Sequence, residues 1–231
     1  PRDQIEGGFD PFDWSVIEEG SKLGFRTLAV PKEWGGAGTG FVTQALVMME
    51  LARGDSAICK AFSQNWKWSH LILNACNDEQ KKRFLTPFIE DHRYMLGRGI
   101  TEPNAGCDNR LPPKKDPKAG YRLRAERDGD DWILNGEKTF IANGSVGSLF
   151  FIDARTDPNA DITRGGTLFL VPRDTPGFRI GKIFNKAGWR FYQNAELIFE
   201  DARVPNDNVV GKVGTGSVKA AGGDTTGGGL F

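Results

Sequence analysis

Apolar and polar positions follow two different rhythms along this chain, and the change falls near Tyr94. Before it, the spacing is helical. Asp10-Pro11 reads as an N-cap with proline at the first helical position, and Phe12, Val16, Ile17 and Leu23 follow at helix spacing up to Gly24. Residues 25–31 predict a short extended piece, and 33–40 a glycine-rich loop acting as a hinge between helices. Phe41, Val42, Ala45, Leu46, Met48, Met49 and Ala52 form a wide apolar stripe at period 3.6. A further helix is expected over 56–75. Another starts at Asn77 or Asp78 and carries Phe84, Leu85 and Phe88. After Tyr94 the period falls to two. Tyr121, Leu123 and Ala125 alternate with charged residues, Asp128-Gly129-Asp130 turns the chain, and Trp132-Ile133-Leu134 returns it. Asn135-Gly136 predicts one more tight turn. Strands are expected at 149–154, 167–171, 178–180 and 195–199. Six or seven short strands with turn residues between them point to a compact barrel or sandwich.

The fold class expected is therefore α+β. An all-α helical domain spans 1–93, a small antiparallel β-barrel 94–205, and a glycine-rich tail 206–231 resembles a linker. Lys+Arg and Asp+Glu both number 30, so no basic excess suggests nucleic-acid binding. No apolar run approaches the roughly 18 residues of a membrane span. Cys59, Cys76 and Cys107 are odd in number and far apart, giving neither a disulfide framework nor a metal site. His70 and His92 lack metal-ligand spacing and read as packing or surface residues. A reducing compartment follows: the cytoplasm, or a mitochondrial matrix in a eukaryote.

The segment Gly99-Ile100-Thr101-Glu102-Pro103-Asn104-Ala105-Gly106-Cys107-Asp108 concentrates the chemistry. It packs a hydroxyl, an acid, a rigid proline and small residues into one turn, which is expected to free several backbone N–H groups for an anionic or hydrogen-bond-accepting ligand. Glu102 and Asp108 form a tempting acid/base pair, but turn geometry favours bracing roles for both. Cys107 reads either as a ligand contact or as a buried inert thiol.

This segment, lying between a helical block and a β block, resembles a landmark of the acyl-CoA dehydrogenase family. Five other stretches agree in order: 30–38 with its proline, glutamate and glycines, Asp78-Glu79-Gln80-Lys81, 134–141 (Leu-Asn-Gly-Glu-Lys-Thr-Phe-Ile), 169–177 and 199–205. The resemblance covers roughly 10–216. It implies an FAD enzyme that oxidises the Cα–Cβ bond of an acyl-CoA to a 2-enoyl-CoA in lipid metabolism. It also implies a third, C-terminal helical bundle, expected beyond Phe231 and bearing the base that takes the α proton, so that no catalytic residue is assigned here. The flavin supplies the redox chemistry, and electrons pass to an electron-transfer flavoprotein or similar acceptor. Homo- or hetero-oligomers are expected.

By the same resemblance the cofactor-binding residues are Arg98, Ile100, Thr101, Gly106, Cys107, Phe140, Ile141 and Ala142, with Cys107 also near the substrate. Ile100 would line the flavin ring, Thr101 bond its pyrimidine edge, and Gly106 admit the pyrophosphate. Three departures stand out. Cys107 replaces a serine and is a weaker donor. Phe140 replaces a tryptophan and keeps an aromatic face, whereas Ala142 replaces a hydroxyl residue. Tyr192 and Asn194 stand where the family's R-x-S-x-T has small hydroxyls. Without the resemblance, Phe140 and Ile141 also read as an ordinary buried strand. A non-catalytic partner subunit and a flavin oxidase or monooxygenase on the same scaffold are the alternative functions.

Overall fold

The computed structural model describes residues 12–109 and 116–215. The Asp10-Pro11 cap and the tail from 216 onward lie outside them.

Among the described residues four α-helices precede the sheet: α1 (Trp14–Lys22), α2 (Phe41–Gly54), α3 (Ser56–Ala75) and α4 (Asp78–Glu90). Their starts are written in side chains. Asp13 accepts the Ser15 N–H, and Asp55 accepts those of Ala57 and Ile58. Asn77 and Gln80 form a reciprocal capping box on α4. The 25–31 segment is not extended. It winds through turns, with Val30 N–H donating to the Thr27 carbonyl. Arg26 is fully buried there and donates to the Phe88 and Tyr94 carbonyls, binding this loop to the end of α4. That tertiary tie overrides the local strand propensity.

The β region is one eight-stranded sheet. It comprises β1 (Leu96–Gly99), β2 (Arg124–Asp128), β3 (Asp131–Ala142), β4 (Leu149–Arg155), β5 (Gly166–Pro172), β6 (Phe178–Ile183), β7 (Asn194–Pro205) and β8 (Val209–Val210). The order is β6-β7-β3-β2-β4-β5-β8, with β1 beside β4. Most pairs are antiparallel, but β1 and β2 each run parallel to β4. A short helix α5 (Ile162–Gly165) links β4 to β5. Residues 206–210 do not begin a tail: a 3-10 turn leads into β8, which pairs with β5.

Strand β4 is buried on both faces, which suits its apolar start Leu149–Ile152 and leaves Asp153 buried against Arg98. Phe150 and Ile152 enter a cluster with Leu123, Phe169, Leu197 and Phe199 inside the curled sheet. Leu149 and Phe151 face the other way, against Trp68, Ile72, Leu85 and Phe88 of the helices. The Asn135-Gly136 turn is absent. β3 runs straight through it with a register shift against β7; Gly136 suits this point because it takes φ 132° and because a Cβ there would sit 3.2 Å from the Leu123 Cα. The α2 stripe also departs from expectation: Phe41, Val42, Leu46 and Met49 are exposed, and Gln44 is the buried residue of that helix.

Candidate functional site

A second register shift between β3 and β7 falls between Lys138 and Ile141, leaving Thr139 and Phe140 outside the ladder. Bulges of this kind re-aim side chains. Here the freed Thr139 N–H donates to the Thr101 carbonyl at 2.9 Å. Phe140 takes a left-handed φ of 57° and is 60% exposed. Its ring lies 4.5 Å from that of Phe184, and its carbonyl accepts from Asn194 Nδ2 at 2.7 Å. Thr101 and Phe140 are thus neighbours at the bulged end of β3, an open edge of the site although β3 itself is an interior strand. The Thr101 hydroxyl has no partner among the described residues.

The turn after Thr101 is held from beneath. Glu102 accepts the backbone N–H groups of Arg122 at 2.7 Å and Leu123 at 2.9 Å, and its Oε1 lies 2.8 Å from Lys138 Nζ. Lys138 is fully buried over the Tyr121 ring. Burial lowers its pKa, with the Glu102 carboxylate opposing that shift. Asp108 accepts the Gly106 and Gly120 N–H groups at 2.7 and 2.8 Å. Burial pushes its pKa up, but the bonds from Gly120, Gly106 and its own backbone, with the charge of Arg122 nearby, together hold the carboxyl below its usual value. Both acids brace the turn.

The turn also uses up more donors than its composition predicts. Glu102 and Ala105 exchange backbone bonds, Gly106 N–H goes to Asp108, and Asn109 N–H goes to Gly106. Cys107 and Gly106 are exposed, which removes the buried-thiol reading of Cys107, and a Cβ at Gly106 would meet nothing within 4 Å.

The remaining residues named from the sequence point elsewhere. Arg98 makes a two-pronged pair with the buried Asp153, at 3.0 and 3.2 Å. Ile141 is core, inside the sheet. Ala142 packs against the helical cluster that holds Phe62 and Trp66. Ile100, Thr101 and Phe140 share the open edge, with Gly106 and Cys107 on the turn above it. Sequence reasoning passed over Phe184 and Asn194, which back Phe140. Their signal was weak: Asn194 appeared only as a departure from a motif. Among the described residues no cluster of His, Cys, Asp or Glu is arranged to hold a metal, and no helix is long and apolar enough to cross a membrane.

Residues 3–92 match the family model described as acyl-CoA dehydrogenase, N-terminal domain, and residues 97–202 the one described as its middle domain. The chain belongs to the acyl-CoA dehydrogenase family. A mitochondrial isovaleryl-CoA dehydrogenase from Pongo abelii is 34% identical over 192 residues, 82% of this chain and 43% of that one. A solved chain from work on the electron transferring flavoprotein of Acidaminococcus fermentans and flavin-based electron bifurcation superposes with TM-score 0.81. It is 34% identical and covers 91% of this chain and 52% of that one. A glutaryl-CoA dehydrogenase from Mycobacterium smegmatis, solved with FADH2, superposes with TM-score 0.75 at 29% identity, covering 95% and 55%. The chain spans about half the length of the relatives it matches.

Proposed function

We propose that this member of the acyl-CoA dehydrogenase family contributes the flavin-holding half of an FAD-dependent oxidoreductase that converts an acyl-CoA to a 2-enoyl-CoA. The observation that carries this reading is the bulge at Thr139–Phe140. It brings an exposed aromatic face next to Thr101, whose hydroxyl has no partner among the described residues, and the turn that follows Thr101 carries the unobstructed Gly106. An aromatic face, a hydrogen-bonding edge and close backbone approach suit a flat heterocycle carrying a pyrophosphate.

FAD, when bound there, would accept the β hydride of the substrate. The chain's own work is positioning. Phe140, backed by Phe184, offers a ring to stack on, and Ile100 lines the edge. The Thr101 hydroxyl is placed to bond the pyrimidine side, and the turn at Gly106 and Cys107 lies open to phosphate. Arg98, Ile141 and Ala142 contribute through backbone and packing, since their side chains are engaged elsewhere. The two acids on this turn are engaged in bracing it, Glu102 buried and bonded to Lys138 and Asp108 accepting the Gly106 and Gly120 N–H groups, so neither is assigned as the base for the α proton. That proton is taken by polypeptide outside these residues, and the exposed α2 stripe is a surface for such polypeptide to cover. Electrons then leave to an electron-transfer flavoprotein or similar acceptor, within a homo- or hetero-oligomer.

The test is a fusion of this chain to the C-terminal helical half of a relative, assayed for enoyl-CoA with an artificial electron acceptor. The fusion is expected to form product and the unfused chain none. A folded, flavin-loaded fusion that forms no enoyl-CoA overturns the proposal.

A further inference from the structure

One residue of β7 serves both rings of the exposed aromatic pair. The Asn194 backbone carbonyl accepts the Phe184 N–H at 2.9 Å. The Asn194 side-chain Nδ2 donates to the Phe140 carbonyl at 2.7 Å. Two rings whose centroids lie 4.5 Å apart are thereby tied to the same residue. Phe140 depends on such a tie. Its φ of 57° is uncommon for a residue with a bulky side chain, and a conformation of this kind persists only where the surroundings hold it. The bulge has also taken Phe140 out of the ladder with β7, so its carbonyl needs a donor from elsewhere.

Asn194 is itself held from its other end. Lys186 Nζ donates to Asn194 Oδ1 at 2.6 Å and to the Tyr192 carbonyl. An amide can turn over, exchanging its oxygen for its NH2 group. Here one end faces an ammonium, which only donates, and the other a carbonyl, which only accepts. Turned over, the amide would set donor against donor and acceptor against acceptor. The ammonium therefore selects the orientation in which the Phe140 carbonyl receives a donor. Lys186 is half-buried, burial lowers its pKa, and it makes no ion pair among the described residues. Arg190 Nε donates to the Lys186 carbonyl at 2.9 Å and closes the loop that carries the ammonium.

We infer that Lys186 is a positioning residue for the flavin seat: its ammonium orients the Asn194 amide, and that amide holds Phe140 with its ring turned outward. The inference rests on the function proposed above. Lys186 acts on the cofactor through Phe140 and not by contact.

A double-mutant cycle on FAD affinity, read by flavin fluorescence titration of the chain, tests this. Lys186→Met is expected to weaken FAD binding about fivefold, and Lys186→Arg, which keeps a charged donor, to hold it within about twofold. Asn194→Asp still accepts from Lys186 but cannot donate to Phe140, and should weaken binding at least as much as Lys186→Met. In a Phe140→Gly background Lys186→Met should change nothing further. No loss from Lys186→Met, or an equal loss in both backgrounds, overturns the inference and leaves the flavin seat standing. Where Lys186→Met fails to fold, Asn194→Asp, of unchanged size, is read in the same two backgrounds with the same expectations. The carbonyl carbon-13 shift of Phe140 in the FAD-free chain reads the contact directly. It should move in Lys186→Met and in Asn194→Asp and stay in Lys186→Arg; a shift unmoved by Lys186→Met overturns the inference. If the shift moves as expected while the unaltered chain binds no FAD, the contact stands and the flavin function falls.

Discussion

The ammonium of Lys138 lies 2.8 Å from the carboxylate of Glu102, and both are buried beneath the turn that carries Thr101. This pair joins β3 to the turn from below, while the Thr139–Thr101 backbone bond joins them at the edge. Removing one partner of such a pair leaves an uncompensated buried charge. Lys138→Met is therefore expected to destabilise the chain by about 3–5 kcal/mol. Glu102→Leu should cost more, because it also strands the N–H groups of Arg122 and Leu123. Urea denaturation midpoints give the order, and a milder effect from Glu102→Leu would contradict it.

Phe140 separates stability from binding. Its left-handed backbone costs a non-glycine residue about 1–2 kcal/mol, and its contact with Phe184 returns about 0.5–1.5 kcal/mol. Phe140→Gly should thus shift stability by no more than about 1 kcal/mol. FAD affinity should nonetheless fall about tenfold, since the exposed ring is gone. Parallel thermal melts and flavin titrations check both halves. A large loss of stability would mean the ring serves the fold.

Acid should loosen the turn through Asp108. Its folded pKa is depressed, so the stability it contributes is present above the ordinary carboxylate pKa of about 3.8. That contribution is lost as pH falls below this value and through the folded pKa. Asp108→Asn should flatten the acid limb of the stability–pH curve below about pH 4 and lower stability at neutral pH. An unchanged acid limb in the variant would show that other carboxylates dominate there.

Gly97 tests the packing of β1 against the sheet interior. A Cβ there would lie 2.7 Å from the Phe150 ring and 3.1 Å from the Ala142 carbonyl. Phe150 is fully buried and has no room to yield. Gly97→Ala is expected to destabilise by about 1–3 kcal/mol in chemical denaturation. A neutral result would mean that β1 shifts freely on β4.

Much of this architecture was legible in local patterns. Helix spacing set α3 at 56–75 and the cap at Asn77 or Asp78 set the start of α4, and the stretch 149–154 marked a strand. What escaped depends on partners distant in sequence. The Arg26 anchor turned 25–31 away from a strand, and Leu123 opposite Gly136 let β3 pass through a turn-like dipeptide. The site divides the same way. The bracing roles of Glu102 and Asp108 followed from turn chemistry, and the closeness of Thr101 to Phe140 was in keeping with the family motifs. The bulge that turns Phe140 outward arises from the register with β7, and no stretch of β3 alone encodes it. The α2 stripe has the pattern of a buried face and lies exposed, because periodicity reports a face that needs cover without saying what covers it.

The most direct measurement is equilibrium titration of the chain with FAD, followed by flavin fluorescence, beside Thr101→Val and Phe140→Gly. Saturable binding by the unaltered chain, weakened by each substitution at unchanged fold, is the predicted result. No saturable binding, or binding that both substitutions leave intact, would contradict a flavin seat at the Thr101–Phe140 edge.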